Sequence, residues 1–401
     1  MKQVLWVLLV SVLSLPGLAA AQEADAGVPP GALALPEATV KPAGTTVTLT
    51  ASAKDGFSLA SDDGNWALRF GGVFWASFME QVNQGVAGAP HFGIPLARLQ
   101  VRATLFRPWL RFFFQPEFSG TPRVLDLELT IQPWQALGLR VGQLQPAFSR
   151  AWLSPVPKLQ FQGFTVANTL FRPERQAGAL LFGAFFGGRL EYFAGLFDGN
   201  GINHAANDNP QLMWNARLAG TVFGTPPGNA GHVKYDETVH LAGDIAPTLL
   251  VGIDGYINRV TTGAPGGILG PQTEEQQVAS ADLSFAWKRF FAQAEGYVMR
   301  SVPIGGIASP TVLRSGFDVQ AGFFVIRSVL EVAGRFSWLH FDNHVAGAWV
   351  VQGDGQLNYY LAGNTLKVGL RYSPAYSPVG GVGGFSSGLT HTLFAQAQVW
   401  L

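Results

Sequence analysis

Two groups of charged side chains in this sequence have the types and spacing to do chemistry, and the chemistry they suit is holding and steering ions. The first is the stretch 147–176, which carries Arg150, Lys158, Arg172 and Arg175 against the one acid Glu174. A guanidinium can grip a phosphate or carboxylate through two parallel N–H bonds, and a ring of Arg and Lys favours anions at a constriction. The same bases would serve equally on a solvated loop face, or as pins fixing the loop to neighbouring carboxylates. The second group is periodic: Arg98, Arg102, Arg111 and Arg140, with the acids Asp126, Glu128, Glu191 and Glu331, stand on the polar side of apolar/polar alternations. Alternation sends every second side chain to one face of a strand. That face also takes Arg69, Arg217, Arg335, Lys367 and Arg371, and Glu117, Asp254, Asp282, Glu295 and Asp318. Bases dominate in the early strands and acids in the middle and later ones. Opposed across a lumen they would make a transverse field; paired along a wall they would neutralise one another.

Bond-making chemistry finds no such support. There is no Cys, which excludes disulfides, thiolate metal sites and Cys nucleophiles together. No nucleophile elbow, phosphate-binding loop or dinucleotide fingerprint occurs in a fitting context. Asp198-Gly199-Asn200-Gly201 through Asp208 fails as a calcium loop because Ile202 falls on a ligand position. His340, Asp342 and His344 could meet a metal at a rim, but three donors in one loop are ordinarily solvent-exposed. A lipid hydrolase embedded in a barrel would need a Ser and a His together on the outer face, and no His falls there beside a Ser. The chain is therefore expected not to be an enzyme and to need no metal or cofactor. Lys+Arg and Asp+Glu are both 26, so no basic excess points to nucleic acid.

The elements that must position these charges are strands. Of the 401 residues 48% are hydrophobic and only 13% charged, about half the charge of an average soluble domain. Yet after the first twenty residues no run stays apolar for the roughly 18 residues a membrane helix needs. Lys2, the apolar stretch Val4 to Leu15 and Ala19-Ala20-Ala21 read as a signal peptide over 1–21. Residues 22–44 are Ala/Pro-rich and read as a periplasmic linker. From there to 401 the period is two, as in Arg98–Leu105, Leu125–Ile131, Trp214–Leu218, Ala281–Phe285, Leu330–Phe336 and Leu366–Tyr372.

Connection length alternates. Short turns are expected at Arg107–Trp109, Gln132–Ala136, Gly187-Gly188, Trp287–Arg289, Ile326–Ser328 and Ala362–Asn364, with mostly longer connections between them. A soluble sandwich has no reason to segregate loop length by end. The sequence thus predicts an all-β chain: a transmembrane antiparallel β-barrel with short periplasmic turns, long external loops and an apolar face toward lipid. It has sixteen strands if 223–247 is one long periplasmic connection, and eighteen if Thr238–Leu241 belongs to another hairpin. Phe106, Trp109, Trp134, Trp287 and Trp338 suit interfacial girdles or, equally, a core. The stretch 147–176 exceeds ordinary loop length and is where function is expected to concentrate.

With these readings in place, the sequence resembles the bacterial porin O/P family, the phosphate- and polyphosphate-selective porins. The resemblance rests on Lys54–Leu59, Asp63–Gly72, Ala97–Phe106 and Val141–Ser149, the last with Ala147 inserted between Pro146 and Phe148. It continues in Phe171–Gly178, Ala194–Gly201, Val319–Phe324 and Leu330–Ser337. It implies a sixteen-stranded, homotrimeric outer-membrane porin for small hydrophilic solutes or anions. It also implies that the third external loop, at about 147–176, folds inward as the constriction. The selective members are much more basic along the pore than this chain. A barrel that displays its loops as an adhesin or structural protein without conducting is the other reading the sequence allows.

Overall fold

The computed structural model describes residues 38–40, 46–52, 56–84, 86–204, 206–225, 235–238, 241, 245–262, 272–304, 310–380 and 386–401. The signal peptide and nearly all of the linker expected at the N-terminus lie outside the described residues. Alternation produces long strands because each buries nothing on its outer face and aims its polar residues inward. Along Met213–Phe223, exposed Trp214, Ala216 and Leu218 alternate with buried Asn215, Arg217 and Ala219. Trp214 is 63% exposed and Ile253 61%, whereas Arg217 is 3% exposed. This is a soluble protein's pattern turned inside out, and it is stable only with hydrocarbon outside. No described helix is long and apolar enough to cross a membrane; strands do the crossing.

In chain order the described strands begin with three short ones, β1 (Ala38–Val40), β2 (Val47–Ser52) and β3 (Gly56–Ser61). There follow β4 (Ala67–Asn83), the two-residue β5 (Val86–Ala87), β6 (His91–Leu105), β7 (Arg107–Glu117), β8 (Arg123–Trp134) and β9 (Leu137–Leu144). Next come β10 (Gln176–Phe185), β11 (Leu190–Phe197), β12 (Met213–Phe223), β13 (Ile245–Thr262), β14 (Gln272–Lys288) and β15 (Phe290–Ile304). The last are β16 (Val312–Ile326), β17 (Leu330–His340), β18 (Trp349–Ala362), β19 (Leu366–Ser377) and β20 (Gly388–Trp400). From β6 onward each strand pairs antiparallel with the next, and β20 returns to β4. The closed barrel therefore has sixteen strands, β4 and β6–β20. Because β12 pairs directly with β13, the eighteen-strand alternative is not realised.

Closure is tight at the seam. The Leu401 N–H donates to the Gly72 carbonyl at 2.9 Å, and Gly72 N–H returns a bond to Leu401 at 3.1 Å. A Cβ on Gly71 would stand 2.3 Å from the Leu401 carbonyl oxygen, so only glycine lets the two backbones meet. Just beyond the seam β3 pairs with Ala67–Phe70, covering the edge that β20 leaves open.

Apart from the long connection between β12 and β13, short turns gather at one end and the longer connections at the other, as the sequence predicts, which makes the short-turn end periplasmic. Two turns are tighter than expected. Phe106 alone, at φ 60°, reverses the chain between β6 and β7, so Arg107–Trp109 already belong to a strand. Gln132–Trp134 likewise extend β8, leaving Gln135-Ala136 as the turn. Phe106, Trp109, Trp134 and Trp287 are exposed beside these turns, while Trp338 packs on Phe317 near the external end.

Candidate functional site

The connection 145–175 leaves β9, crosses the barrel interior and returns to β10. Two short helices stiffen it. Ser149 caps α1 (Arg150–Leu153) by accepting the Trp152 N–H at 3.2 Å, and Thr165 caps α2 (Val166–Phe171) by accepting the Asn168 N–H at 2.9 Å. Wall side chains then fix the path by a simple division of labour. Acids take its N–H and O–H groups: Ala151 N–H donates to Glu295 on β15 at 2.6 Å, and the Thr165 hydroxyl to Asp318 on β16 at 3.0 Å. Cations hold its carbonyls: Lys367 on β19 donates to Leu159 at 2.7 Å and Arg335 on β17 to Gly163 at 2.8 Å. Gln398 on β20 reaches the Pro157 carbonyl at 3.1 Å, so the loop spans to the far side of the lumen. Beneath it Phe148, Trp152 and Phe171 pack with Tyr256, Tyr297 and Leu339, giving the barrel an apolar core on that side.

The loop therefore divides the charges the sequence offered. Arg150 is buried, its guanidinium 5.3 Å from the ring of Tyr235, and Lys158 is paired with Asp236 at 2.7 Å; neither sits with the other two loop bases. Arg172 and Arg175 do come together. The Arg172 guanidinium packs against the rings of Trp152 and Phe164, at 4.5 and 4.3 Å, and Arg175 donates to Asp126 on β8 at 2.8 Å. Burial pushes the Arg172 guanidinium down to about 10, leaving it cationic at neutral pH.

Facing them is the wall β6–β9. Arg98 pairs with Glu117 at 2.8 Å, Arg102 is exposed against the Phe113 ring, Arg111 donates to Gln132 at 2.7 Å, and Arg140 lies over Phe182. Glu128 stands half-buried among them. The acids Glu191 and Glu331 point inward as expected but do not join this wall, because inserted chain covers them. Glu331 is fully buried, accepting from Gln160, Asn358 and Tyr360 at 2.6, 3.0 and 2.7 Å. Glu191 lines a small recess with Arg150, Arg217 and Tyr235.

A second insertion was not foreseen in the sequence. The periplasmic connection between β12 and β13 returns into the barrel, where Tyr235, Glu237 and Thr238 are buried. Glu237 accepts the Gln160 N–H at 2.9 Å and the Gln320 amide at 2.8 Å, and Asn364 donates to Thr238 at 2.7 Å. Burial pushes the Glu237 carboxyl up, against these two donors. The segment braces the crossing loop from the periplasmic side. Glu237→Ala would strand a buried backbone N–H and a buried amide, at about 1–3 kcal/mol each. Hydrogen exchange at Gln160 is expected to speed up at least tenfold in that variant; unchanged exchange would separate the two segments.

The remaining candidates are local. His340 stacks on Trp338, His344 bonds the Thr311 carbonyl, and among the described residues no three His, Cys, Asp or Glu converge as metal ligands.

No family model matches the chain, and no curated protein matches it. Solved structures do. It is similar to outer-membrane-expressed OmpT of Vibrio cholerae, at 10% identity over 84% of this chain and 98% of that one, with a TM-score of 0.58. The in-vitro folded trimer form of that protein matches at 12% identity over 84% and 99% of the two chains, TM-score 0.58. The outer membrane channel DcaP of Acinetobacter baumannii matches at 11% identity over 85% and 99%, TM-score 0.55. At such identities the likeness is one of fold, and the fold is that of the Gram-negative outer-membrane β-barrel.

Proposed function

We propose that the chain is an outer-membrane porin, a channel for passive diffusion of small hydrophilic solutes with a preference for anions such as phosphate. The observation that carries this reading is the one-sided sorting of charge. Of the late-wall acids, Glu295, Asp318 and Glu331 hold the crossing loop, and Asp254, Asp282 and Asp354 are paired with wall arginines. Arg172 and Arg175 face Arg98, Arg102, Arg111 and Arg140, with Glu117, Asp126, Glu128 and Glu174 as the acids nearby among the described residues. A solute passing between loop and wall would meet more positive than negative charge, the arrangement that admits anions. The resemblance to the porin O/P family supports the same reading, and the fold it shares with a trimer-forming barrel supports assembly as a homotrimer.

The test is the reversal potential of purified protein in a planar bilayer under a salt gradient, followed by added phosphate. Anion-selective current that phosphate reduces is expected. Unselective current would leave a general diffusion pore. Heat-modifiable, folded protein that passes no current would favour a non-conducting adhesin or structural barrel, a reading to which the filling of the interior from both ends lends weight.

A further inference from the structure

On the outer face, the external half of the barrel carries a shallow, open apolar groove of about 1260 Å³. Its floor is made of small residues, Ala179, Ala194, Ala216, Gly255 and Ala279, contributed by the successive strands β10 to β14. Larger side chains stand up at the sides, Leu196 and Ile257 among them, with Trp214 at the rim. Small residues on five neighbouring strands bring the backbone within reach of whatever fills the groove, where bulkier side chains would have made a convex belt. Toward the external end Arg300 and Gln277 also line the groove, Arg300 exposed and donating to Gln277 at 3.3 Å. Beside them Arg259 pairs with Glu275 at 3.2 Å, so two bases face one acid along this rim.

We propose that this groove is a binding site for one outer-leaflet lipid with an anionic phosphomonoester headgroup, its acyl chains lying on the small-residue floor and its phosphate on Arg300. This rests on the outer-membrane reading above and adds a defined site to it. Charge and polarity choose the occupant. A cation directly over hydrocarbon-lined space complements a phosphate over acyl chains, and a basic residue at a membrane surface attracts anionic lipid. A second copy of the chain would have to supply a convex apolar ridge topped by an acid. Arg300 stands on an outward-facing strand position, near enough to Glu275 to feel its charge, but that acid is ion-paired with Arg259, so the rim keeps one base in excess.

The test is lipid retention. Protein folded into vesicles of zwitterionic phosphatidylcholine doped with lipid A is extracted in mild detergent, and lipid bound per chain is read by native mass spectrometry. About one lipid A per chain is expected, with phosphatidylcholine excluded. Arg300→Glu should lower retention about tenfold while Arg300→Lys keeps most of it. Ala216→Trp, which fills the floor, should abolish it. Each variant is checked for the heat-modifiable folded band, which an outward substitution should leave intact. Equal retention in wild type, Arg300→Glu and Ala216→Trp would overturn the proposal. So would an Ala216→Trp variant that binds no less lipid but dissociates into monomers, which would give the groove to a second copy. A chain that never inserts into vesicles would overturn the membrane reading itself, whereas inserted, conducting protein that retains no lipid A would overturn only this site.

Discussion

Arg217→Leu is expected to cost the barrel about 3–5 kcal/mol, enough to prevent a folded band from forming in detergent or to lower the urea midpoint steeply. Arg217 projects inward from β12 and its Nη1 bonds both Asp254 on β13 and Asp282 on β14, the latter at 2.5 Å. All three side chains are essentially fully buried. One guanidinium therefore compensates two carboxylates that have lost their water, and its removal leaves both uncompensated. Space has been made for it: a Cβ on Gly252 would stand 2.5 Å from Arg217 Nη2 and 2.7 Å from the Asp282 carboxylate. The Tyr235 hydroxyl, from the periplasmic insertion, lies 3.4 Å from its Nε. The informative control is Arg217→Leu combined with Asp254→Asn and Asp282→Asn. Neutralising the stranded acids should recover most of the lost stability if the buried charge is the cause. An Arg217→Leu protein that unfolds at the wild-type urea concentration would refute the account, as would a triple variant no better than the single one.

Much of this arrangement was legible in the sequence, and the part that was not has a definite physical reason. Period two reports which face a side chain takes, so the inward direction of Arg217 and Asp282 could be read from Trp214–Leu218 and Ala281–Phe285. It says nothing about which inward residues meet. Asp254 and Asp282 reach Arg217 from 37 and 65 residues away, through the registers of two strand pairs. The turns were legible because tight reversals between long strands leave little choice, and the errors at Phe106 and Gln132–Trp134 are a few residues of boundary.

The crossing loop was legible as a length anomaly but its path was not. It has no period, and its conformation is set by partners on strands from β12 to β20. That is why four bases in one stretch read as a single ring, when Arg150 and Lys158 turn out to face Tyr235 and Asp236. The inward return of 235–238 left a trace that could have been used. Tyr235-Asp236-Glu237-Thr238 puts an aromatic and two acids in a connection at the short-turn end, where tight turns need neither. Reading 223–247 as one long periplasmic connection, with a hairpin at Thr238–Leu241 as the alternative, captured the irregularity and missed its use.

The largest functional effect should come from the wall that faces Arg172 and Arg175. Arg102→Glu with Arg111→Glu is expected to turn an anion-preferring channel into a cation-preferring one, read as a change in sign of the reversal potential at 0.1 M salt. A unit charge about 7 Å from a passing ion, at an effective dielectric constant of about 40, acts with about 1 kcal/mol. Each substitution changes the local charge by two, so two of them should shift the ratio of anion to cation permeability by more than tenfold. Neither arginine is committed elsewhere in a way that would bring the barrel down. Arg102 rests on Phe113 and bonds Gln100 at 3.0 Å, and Arg111 bonds Gln132, neutral partners in both cases. Raising the salt to 1 M shortens the screening length to about 3 Å and should shrink the effect, which a steric change would not do. Arg150→Gln provides the contrast. It removes a charge from the same loop the sequence marked as the constriction, yet the group lies buried against Tyr235. Selectivity should then follow Arg102 and Arg111 and ignore Arg150. The reverse order would mean that the ion path runs beneath the crossing loop, on the side of its buried acids, and the proposed anion preference would fall with it.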